Sequence, residues 1–351
     1  PVYLVPAYNG AWSLSLQVTA KQVAEALDRE PDIKGVLITS PNYYGMAADV
    51  EAIAAVVHAH GALLLVDEAH GPHLGFSTKL PPSALASGAD AVAQSTHKIL
   101  GALTQCSMLH IKGPRINGNQ MAAAMSLVTT TSPNYLLLGS LDGARSQMAE
   151  KGKELVERAI SAAGELRTAL ESVKGIKVLG KEIIGKGGVA DLDVTKVTAN
   201  VQGLGLTGIE AGEMLRKAGI AVELVDPANV LFLVTYADAN QEFPEICQRI
   251  AETLNKGRKL KTVSLVIPQL PNMPEQSIIP REAFFAKGSV LSFEQSAGQV
   301  SKEQISFYPP GIPGEVITKE IIQYYRSMLA MGLPISGPVS EKLATIEVIK
   351  S

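Results

Sequence analysis

The sequence predicts an α/β protein built on a mainly parallel sheet, followed by a smaller α+β region. Three short apolar runs, Gly35–Thr39, Leu63–Asp67 and Ala91–Gln94, carry the first part of that prediction, with a helical pattern over residues 49–60 set between the first two. Strand, helix and strand in that order require parallel pairing through right-handed crossovers. From Gly175 the texture changes to short strands around a helix over 208–218, the pattern of an α+β unit. At 351 residues the chain is long enough for a large core and for more than one domain.

Taken in order, the chain opens on Val2-Tyr3-Leu4-Val5, which reads as a strand already inside a domain. Thr19 is placed to cap a helix through Asp28, with Val23, Ala26 and Leu27 on its inner stripe. Gly35–Thr39 then reads as a buried strand, broken by Ser40-Pro41-Asn42; Asn42 is either a simple turn residue or a ligand contact. Along 49–60, Val50, Ile53, Ala54 and Val57 share a helical face, and Gly61 suits a left-handed cap. After Lys98, Gly101 permits a tight return into a strand over 105–111. A helix is predicted over 119–127, interrupted by the segment from Thr129 to Tyr135, whose plain reading is the capped start of a long helix over 133–163 with Pro133 in its first turn. That helix turns Arg145, Lys151, Lys153 and Arg158 outward and links the larger region to the smaller one.

The smaller region is expected to contain strands over 176–179, 191–197, 221–225 and 229–235, and helices over 208–218 and Phe243–Lys256. Past Leu260, the prolines at 268, 271, 274 and 280 mark a linker, and 282–305 carries a mixed helical pattern. Three domains follow from these changes of texture, at 1–165, 166–262 and 263–351.

The chemistry concentrates in LLLVDEAHG and AVAQSTHK. Asp67 stands where one strand stops and Lys98 just beyond the next, at the carboxyl edge where open α/β sheets bind ligands. A lysine walled by apolar sheet loses solvation of its ammonium and becomes a candidate nucleophilic amine, suited to Schiff-base formation. Pyridoxal 5'-phosphate is the cofactor that combines such a lysine with a carboxylate held against a pyridine nitrogen. In that reading Lys98 carries the aldehyde and Asp67 keeps the ring nitrogen protonated. Ser95 and His97 are donors for the phosphate, Ala69 leaves room for a flat ring, and His70 lines the pocket.

These motifs, followed by the tract Tyr308-Pro309-Pro310-Gly311-Ile312-Pro313-Gly314-Glu315, resemble the Orn/Lys/Arg decarboxylase family of fold-type I enzymes, with the aspartate-aminotransferase-like large domain. The resemblance runs over nearly the whole chain. It implies α-decarboxylation of arginine, lysine or ornithine to agmatine, cadaverine or putrescine, in a homodimer. It also implies that the loop holding Thr131 and Ser132 crosses the dimer interface to give a hydroxyl to the partner's phosphate, where the plain reading is a helix cap. Set beside the family, the chain is expected to lack an upstream segment with the loop that cups the phosphate and the aromatic residue that stacks on the pyridine. An aminotransferase, a carbon–carbon lyase or an inactive structural homologue are the alternatives, since the Asp67 and Lys98 pair is common to the wider class.

Composition bounds the remaining choices. Apolar residues at 46% and charged residues at 19% describe an ordinary globular protein, and 31 basic against 34 acidic residues leave a net charge of -3, without a footprint for nucleic acid. Asp67-Glu68-Ala69-His70 also spells a DEAH-type nucleotidase element, but that reading needs an upstream phosphate loop. The nearest match, over 180–186, lies downstream and is followed by Gly187 instead of a hydroxyl residue. No run approaches the roughly 18 apolar residues of a membrane span. The six histidines fall between 58 and 110 without metal-ligand spacing; His58 and His60 read as surface or helix-end residues. Cys106 and Cys247 form no redox or metal pattern and read as buried small hydrophobes in a cytoplasmic protein whose partner is an amino-acid substrate.

Overall fold

A computed structural model describes residues 2–259, 268, 270–305, 311–333, 335 and 340–350. The chain divides into two compact units, Pro1–Val263 and Ser264–Ser351.

The first unit begins with a hairpin, β1 (Tyr8–Asn9) against β2 (Leu14–Ser15). The predicted strand over residues 2–5 is not formed, because that run finds no ladder partner, and Val2, Tyr3 and Val5 remain exposed. Helix α1 (Ala20–Arg29) starts with a full capping box between Thr19 and Gln22 and buries Val23, Ala26 and Leu27. Strand β3 (Gly35–Thr39) forms as predicted but is only half-buried, with Leu37 70% exposed. It is an edge strand and has one face packed. After the short β4 (Met46–Ala48), Asp49 caps α2 (Val50–Ala59), and Gly61 adopts the left-handed φ of 69° that ends it.

Strand β5 (Leu63–Asp67) follows at once, then β6 (Ala91–Gln94), the single-turn α3 (Thr96–Ile99) and β7 (Met108–Ile111). These strands form one sheet in the order β3-β5-β6-β7, parallel except for the last pair. The strand predicted over 105–111 starts later because Gln105 takes a left-handed turn at φ 75°. Helix α4 (Gly118–Val128) is capped by Asn117, and α5 (Tyr135–Glu171) by Asn134. The long helix runs past the predicted end at 163, since Ala162, Ala163, Leu166 and Leu170 continue its stripe into the next core. Residues 165 and 166 therefore lie inside one helix.

The remainder of this unit comprises β8 (Lys177–Val178), β9 (Val189–Leu192), β10 (Lys196–Asn200), α6 (Gly208–Lys217), β11 (Leu224–Val225), β12 (Asn229–Leu233) and α7 (Phe243–Lys256). An antiparallel sheet in the order β11-β12-β10-β8 packs beneath α5, α6 and α7. The single strand predicted over 191–197 is two strands in different sheets: β9 pairs with β4, and β10 with β12 and β8. The chain turns between them because Asp193 Oδ1 accepts from both the backbone N–H and the hydroxyl of Thr195.

That break is clamped by Arg167, whose Nε, Nη1 and Nη2 donate to the carbonyls of Val194 at 3.2 Å, Leu179 at 2.6 Å and Lys196 at 2.8 Å. Replacing Arg167 with methionine is expected to cost roughly 2–4 kcal/mol by leaving buried carbonyls without their charge-assisted donors. The melting temperature should fall by roughly 5–10 °C. Arg167→Lys should recover only part of this, since an ammonium cannot serve three carbonyls in one plane. Calorimetry showing an unchanged transition would refute the clamp.

The second unit contains α8 (Pro280–Phe285), β13 (Gly288–Ser292), α9 (Lys319–Ala330) and β14 (Thr345–Ile349), around a core with Phe293, Tyr324, Tyr325, Ile346 and Val348. The helical pattern predicted over 282–305 yields one short helix and then a strand, because β13 pairs with β14 from the far end of the chain. Of the proline-rich tract, Tyr308, Pro309 and Pro310 lie outside the described residues. Gly311 exchanges backbone hydrogen bonds with Ile305, and the buried Glu315 carboxylate accepts from the Ile312 N–H at 2.8 Å, so this part is an ordered turn.

Candidate active site

The parallel ladder aligns Thr39 with Asp67 and Asp67 with Ala93, so three neighbouring strands deliver their carboxyl ends together. Asp67 is exposed there, and its Oδ1 accepts from the Ala69 N–H at 3.0 Å, which bends the chain out of the strand. Glu68 turns the other way and is buried. Its two oxygens accept from the Ala84 N–H and from Gln94 Nε2, both at 2.6 Å, and burial pushes its pKa up. This second acid of the DEAH letters ties down a neighbouring loop and does not face a ligand.

The bend carries His70 inward until it is 5% exposed. Its Nε2 lies 3.2 Å from Lys98 Nζ and its Nδ1 3.1 Å from Lys196 Nζ, while the Tyr43 ring leans on it at 4.3 Å between centroids. Burial, with the charges of Lys196 and Lys98, brings the pKa of His70 down to about 3. The ring is therefore neutral throughout the physiological range.

Lys98 stands in α3, one turn beyond β6, and its side chain is exposed. The expectation that apolar sheet would wall it in is corrected, because the helical turn lifts it clear of the strand. The lysine that loses its water is another one. Lys196, at the start of β10, is 1% exposed, and burial lowers its pKa to about 8 against the opposing pull of Asp193. Asp193 is itself buried; burial raises its pKa, but His73 and Lys196 outweigh this and hold it at about 2. His73 Nε2 lies 3.0 Å from Asp193 Oδ2 and 3.3 Å from the Thr195 hydroxyl. Tyr43 donates to Glu223 at 2.7 Å, and burial together with that carboxylate pushes its pKa up to about 12. Gly45 allows the Tyr43 turn to approach. Its φ is 87°, and a Cβ there would fall 2.8 Å from the Asp193 carbonyl and 2.9 Å from Lys196 Cβ.

Ser95 accepts the Lys98 N–H through its carbonyl and is half-buried. His97 Nδ1–H is committed to the Cys106 carbonyl at 2.7 Å, which leaves Nε2 as the nitrogen able to meet a ligand. Asn42 is a turn residue, its Oδ1 accepting from the N–H groups of Tyr44 and Met46. Thr131 and Ser132 are exposed in the loop between α4 and α5, and among the described residues no hydrogen bond joins them to the His70 cluster. His58 is more enclosed than expected of a surface residue, with Nε2 2.9 Å from the buried carboxylate of Asp90. Cys106 and Cys247 are both buried free thiols. Among the described residues no helix is long and apolar enough to cross a membrane.

Sequence reasoning missed Lys196, Asp193, His73 and Tyr43. One signal was present: Leu-Asp-Val-Thr-Lys-Val places two opposite charges inside an apolar run, where neither is stable without a partner.

The neutral His70 has a consequence for acid stability. Its pKa stays at about 3 in the folded protein against 6.5 in the unfolded chain, so the unfolded chain binds more protons between those values. Stability should fall as pH drops below about 6.5, and Asp193, lowered from 3.8 to about 2, should add to the loss at the acid end. Denaturant unfolding at pH 7, 6, 5 and 4 reads this directly. His70→Gln should flatten the slope between 6.5 and 4; a slope that survives unchanged would assign the effect elsewhere.

Comparison with known proteins bears on what these residues are for. The model of the family described as Orn/Lys/Arg decarboxylase, major domain, matches residues 1–242. The chain belongs to the Orn/Lys/Arg decarboxylase family. It is 38% identical to the arginine decarboxylase of Bacillus anthracis over 357 residues, a match covering 100% of this chain and 72% of that protein. An arginine decarboxylase of Halalkalibacterium halodurans is also 38% identical, over 356 residues, with the same coverage. Among solved structures, the lysine decarboxylase of Francisella novicida superposes with a TM-score of 0.78 at 23% identity, covering 100% of this chain and 63% of that one. The fold of this family member is thus a mixed α/β fold shared with lysine decarboxylases.

Proposed function

We propose that the chain works as a pyridoxal-phosphate-dependent decarboxylase of a basic amino acid, with arginine preferred over lysine and ornithine, on a fold-type I scaffold. One observation carries this reading. An exposed carboxylate, Asp67, and an exposed amine, Lys98, stand at the carboxyl ends of adjacent parallel strands, in a chain 38% identical to two arginine decarboxylases.

The donor set fits the cofactor. Lys98 would hold the cofactor through its amine, an exposed amine at this sheet edge that faces His70. Asp67 keeps a proton on the pyridine nitrogen, with its own position fixed by the Ala69 N–H. Ala69 would offer a small side chain beside the ring, and Ser95 and His97 would be the donors to the phosphate. When bound, pyridoxal phosphate supplies the ring that accepts the electron pair released as carbon dioxide leaves the α-carbon. His70 remains neutral, with its Nε2 3.2 Å from the Lys98 amine.

We assign Thr131 and Ser132 to the phosphate across a homodimer interface. Helix α4, which leads into their loop, has no buried residue, and Leu127 is 86% exposed, as a face covered by another layer of protein would be. Light scattering on the purified chain reads the dimer. Absorbance reads the cofactor: adding pyridoxal phosphate should produce a band near ~420 nm. Amine analysis after incubation with arginine, lysine and ornithine then ranks the substrates. No band and no amine product from any of the three would overturn the proposal.

A further inference from the structure

We propose that Tyr43 and Glu223 are positioning residues: the Glu223 carboxylate holds the Tyr43 ring as a wall that keeps water off His70, the imidazole set between Lys98 and Lys196. The bearing of this wall on turnover rests on the assignment of Lys98 as the cofactor lysine.

His70 is 5% exposed, although the Lys98 side chain next to it is in solvent. Its two nitrogens are taken by Lys98 and Lys196, and the contact with the ring itself comes from Tyr43, at 4.3 Å between centroids and 52° between planes. Tyr43 is 39% exposed, so one side chain has a side on His70 and a side in water. A ring in that place is the boundary between the two. The turn that carries it lies hard against the loop of His70: a Cβ added at Gly71 would fall 3.0 Å from Pro41 Cδ.

An aromatic side chain at a rim can swing outward to another rotamer unless its far end is held. The Tyr43 hydroxyl is held, since it donates to Glu223 Oε1 at 2.7 Å in a short charge-assisted bond. Burial and that carboxylate push the phenol up to about 12, so the proton of the bond stays on Tyr43 at neutral pH. The acceptor is fixed in turn, because the Glu223 N–H donates to the Leu231 carbonyl at 3.0 Å and joins it to β12. The neighbouring Tyr44 hydroxyl donates to Asp226 Oδ2 at 2.7 Å, so two successive tyrosines are pinned to acids on either side of β11.

Behind this wall stand the groups that act on His70: Lys196 from β10, Lys98 from α3, Asp193 from the turn before β10, and His73 from its own loop. Burial and the two ammonium groups disfavour an imidazolium, and of these neighbours Asp193 alone favours one. Water admitted through a gap at Tyr43 would solvate an imidazolium and screen both ammonium groups. His70 would then take a proton nearer its ordinary 6.5.

The test uses the full chain without cofactor. Histidine labelled with 13C at Cε1 is followed by NMR from about pH 8 to about pH 4.5, with the His70 signal assigned by its loss in His70→Gln. In the unsubstituted chain His70 should stay neutral across that window. Tyr43→Ala should bring its midpoint up into the window, a rise of about 1.5 units or more. Glu223→Ala, which leaves the hydroxyl without its acceptor, should raise the protonated fraction of His70 at about pH 4.5 several-fold. Loss of a negative charge would by itself lower that fraction, so a rise reports the lost wall. Glu223→Gln, whose carbonyl can accept the same hydroxyl, should leave the titration in place. His58, bonded to Asp90, is the internal control: a general loosening of the fold moves its signal as well, and a breached wall does not. Should Tyr43→Ala not fold, Glu223→Ala carries the test. A His70 that stays neutral throughout in Tyr43→Ala, no rise in Glu223→Ala, or a midpoint at 6.5 in the unsubstituted chain overturns the proposal. A missing ~420 nm band would refute the cofactor reading alone, because the titration does not involve the cofactor.

Discussion

Lys98→Ala should lower decarboxylation by about a thousandfold or more, the scale of loss when the nucleophile of a concerted catalytic group is removed. The physical reason is that the amine does two jobs that no neighbour replaces. In the proposed reading it would hold the cofactor in place between turnovers and be needed again for product release. Lys196 is the nearest other amine in the cluster, but it is buried behind His70 and cannot reach out to the position of an exposed side chain. The fold should be unaffected, because the Lys98 side chain is exposed and makes its one recorded hydrogen bond to His70. The expected result is a protein with an unchanged melting temperature, no ~420 nm band in the presence of pyridoxal phosphate, and no amine product. Substantial residual turnover in that variant would move the cofactor attachment elsewhere and sink the assignment.

Asp67→Asn should reduce turnover by roughly a hundred- to a thousandfold, comparable to removing a preorganised electrostatic group at a reacting centre. The substitution is nearly isosteric. The asparagine carbonyl can accept from the Ala69 N–H as Oδ1 does now, so the bend that carries His70 inward is preserved. In the proposed reading, what would be lost is the negative charge that keeps a proton on the pyridine nitrogen, and with it the ring's capacity to take up an electron pair. The ~420 nm band should persist, since Lys98 is intact, while the rate collapses. Rates within a few-fold of the original would show that Asp67 does not face the ring. The two variants together separate attachment from activation: one removes the band and the activity, the other the activity alone.

Local pattern determined a good deal here. The sequence alone places α1 with its Thr19 cap, α2 with its Gly61 stop, the strands ending at Asp67 and just before Lys98, and α7 to the residue, because caps and apolar periodicity act over a few neighbours. The positions of Asp67 and Lys98 at the carboxyl edge of the sheet were legible for the same reason: a polar residue at or just past the end of an apolar strand announces the edge of a sheet. Tertiary structure decided what depends on distant partners. Residues 2–5 have strand composition and no strand to pair with, and residues 288–292 became a strand because Thr345–Ile349 lies beside them. It also decided which lysine is dry. Sequence pointed to Lys98, yet a single helical turn leaves it in solvent. Lys196, 126 residues from His70 in the chain, is brought to that ring by the turn at Asp193 and the pairing of β10 with β12. Desolvation and hydrogen-bond partners are properties of the packed interior, and no local stretch of sequence encodes which charge will be enclosed by it.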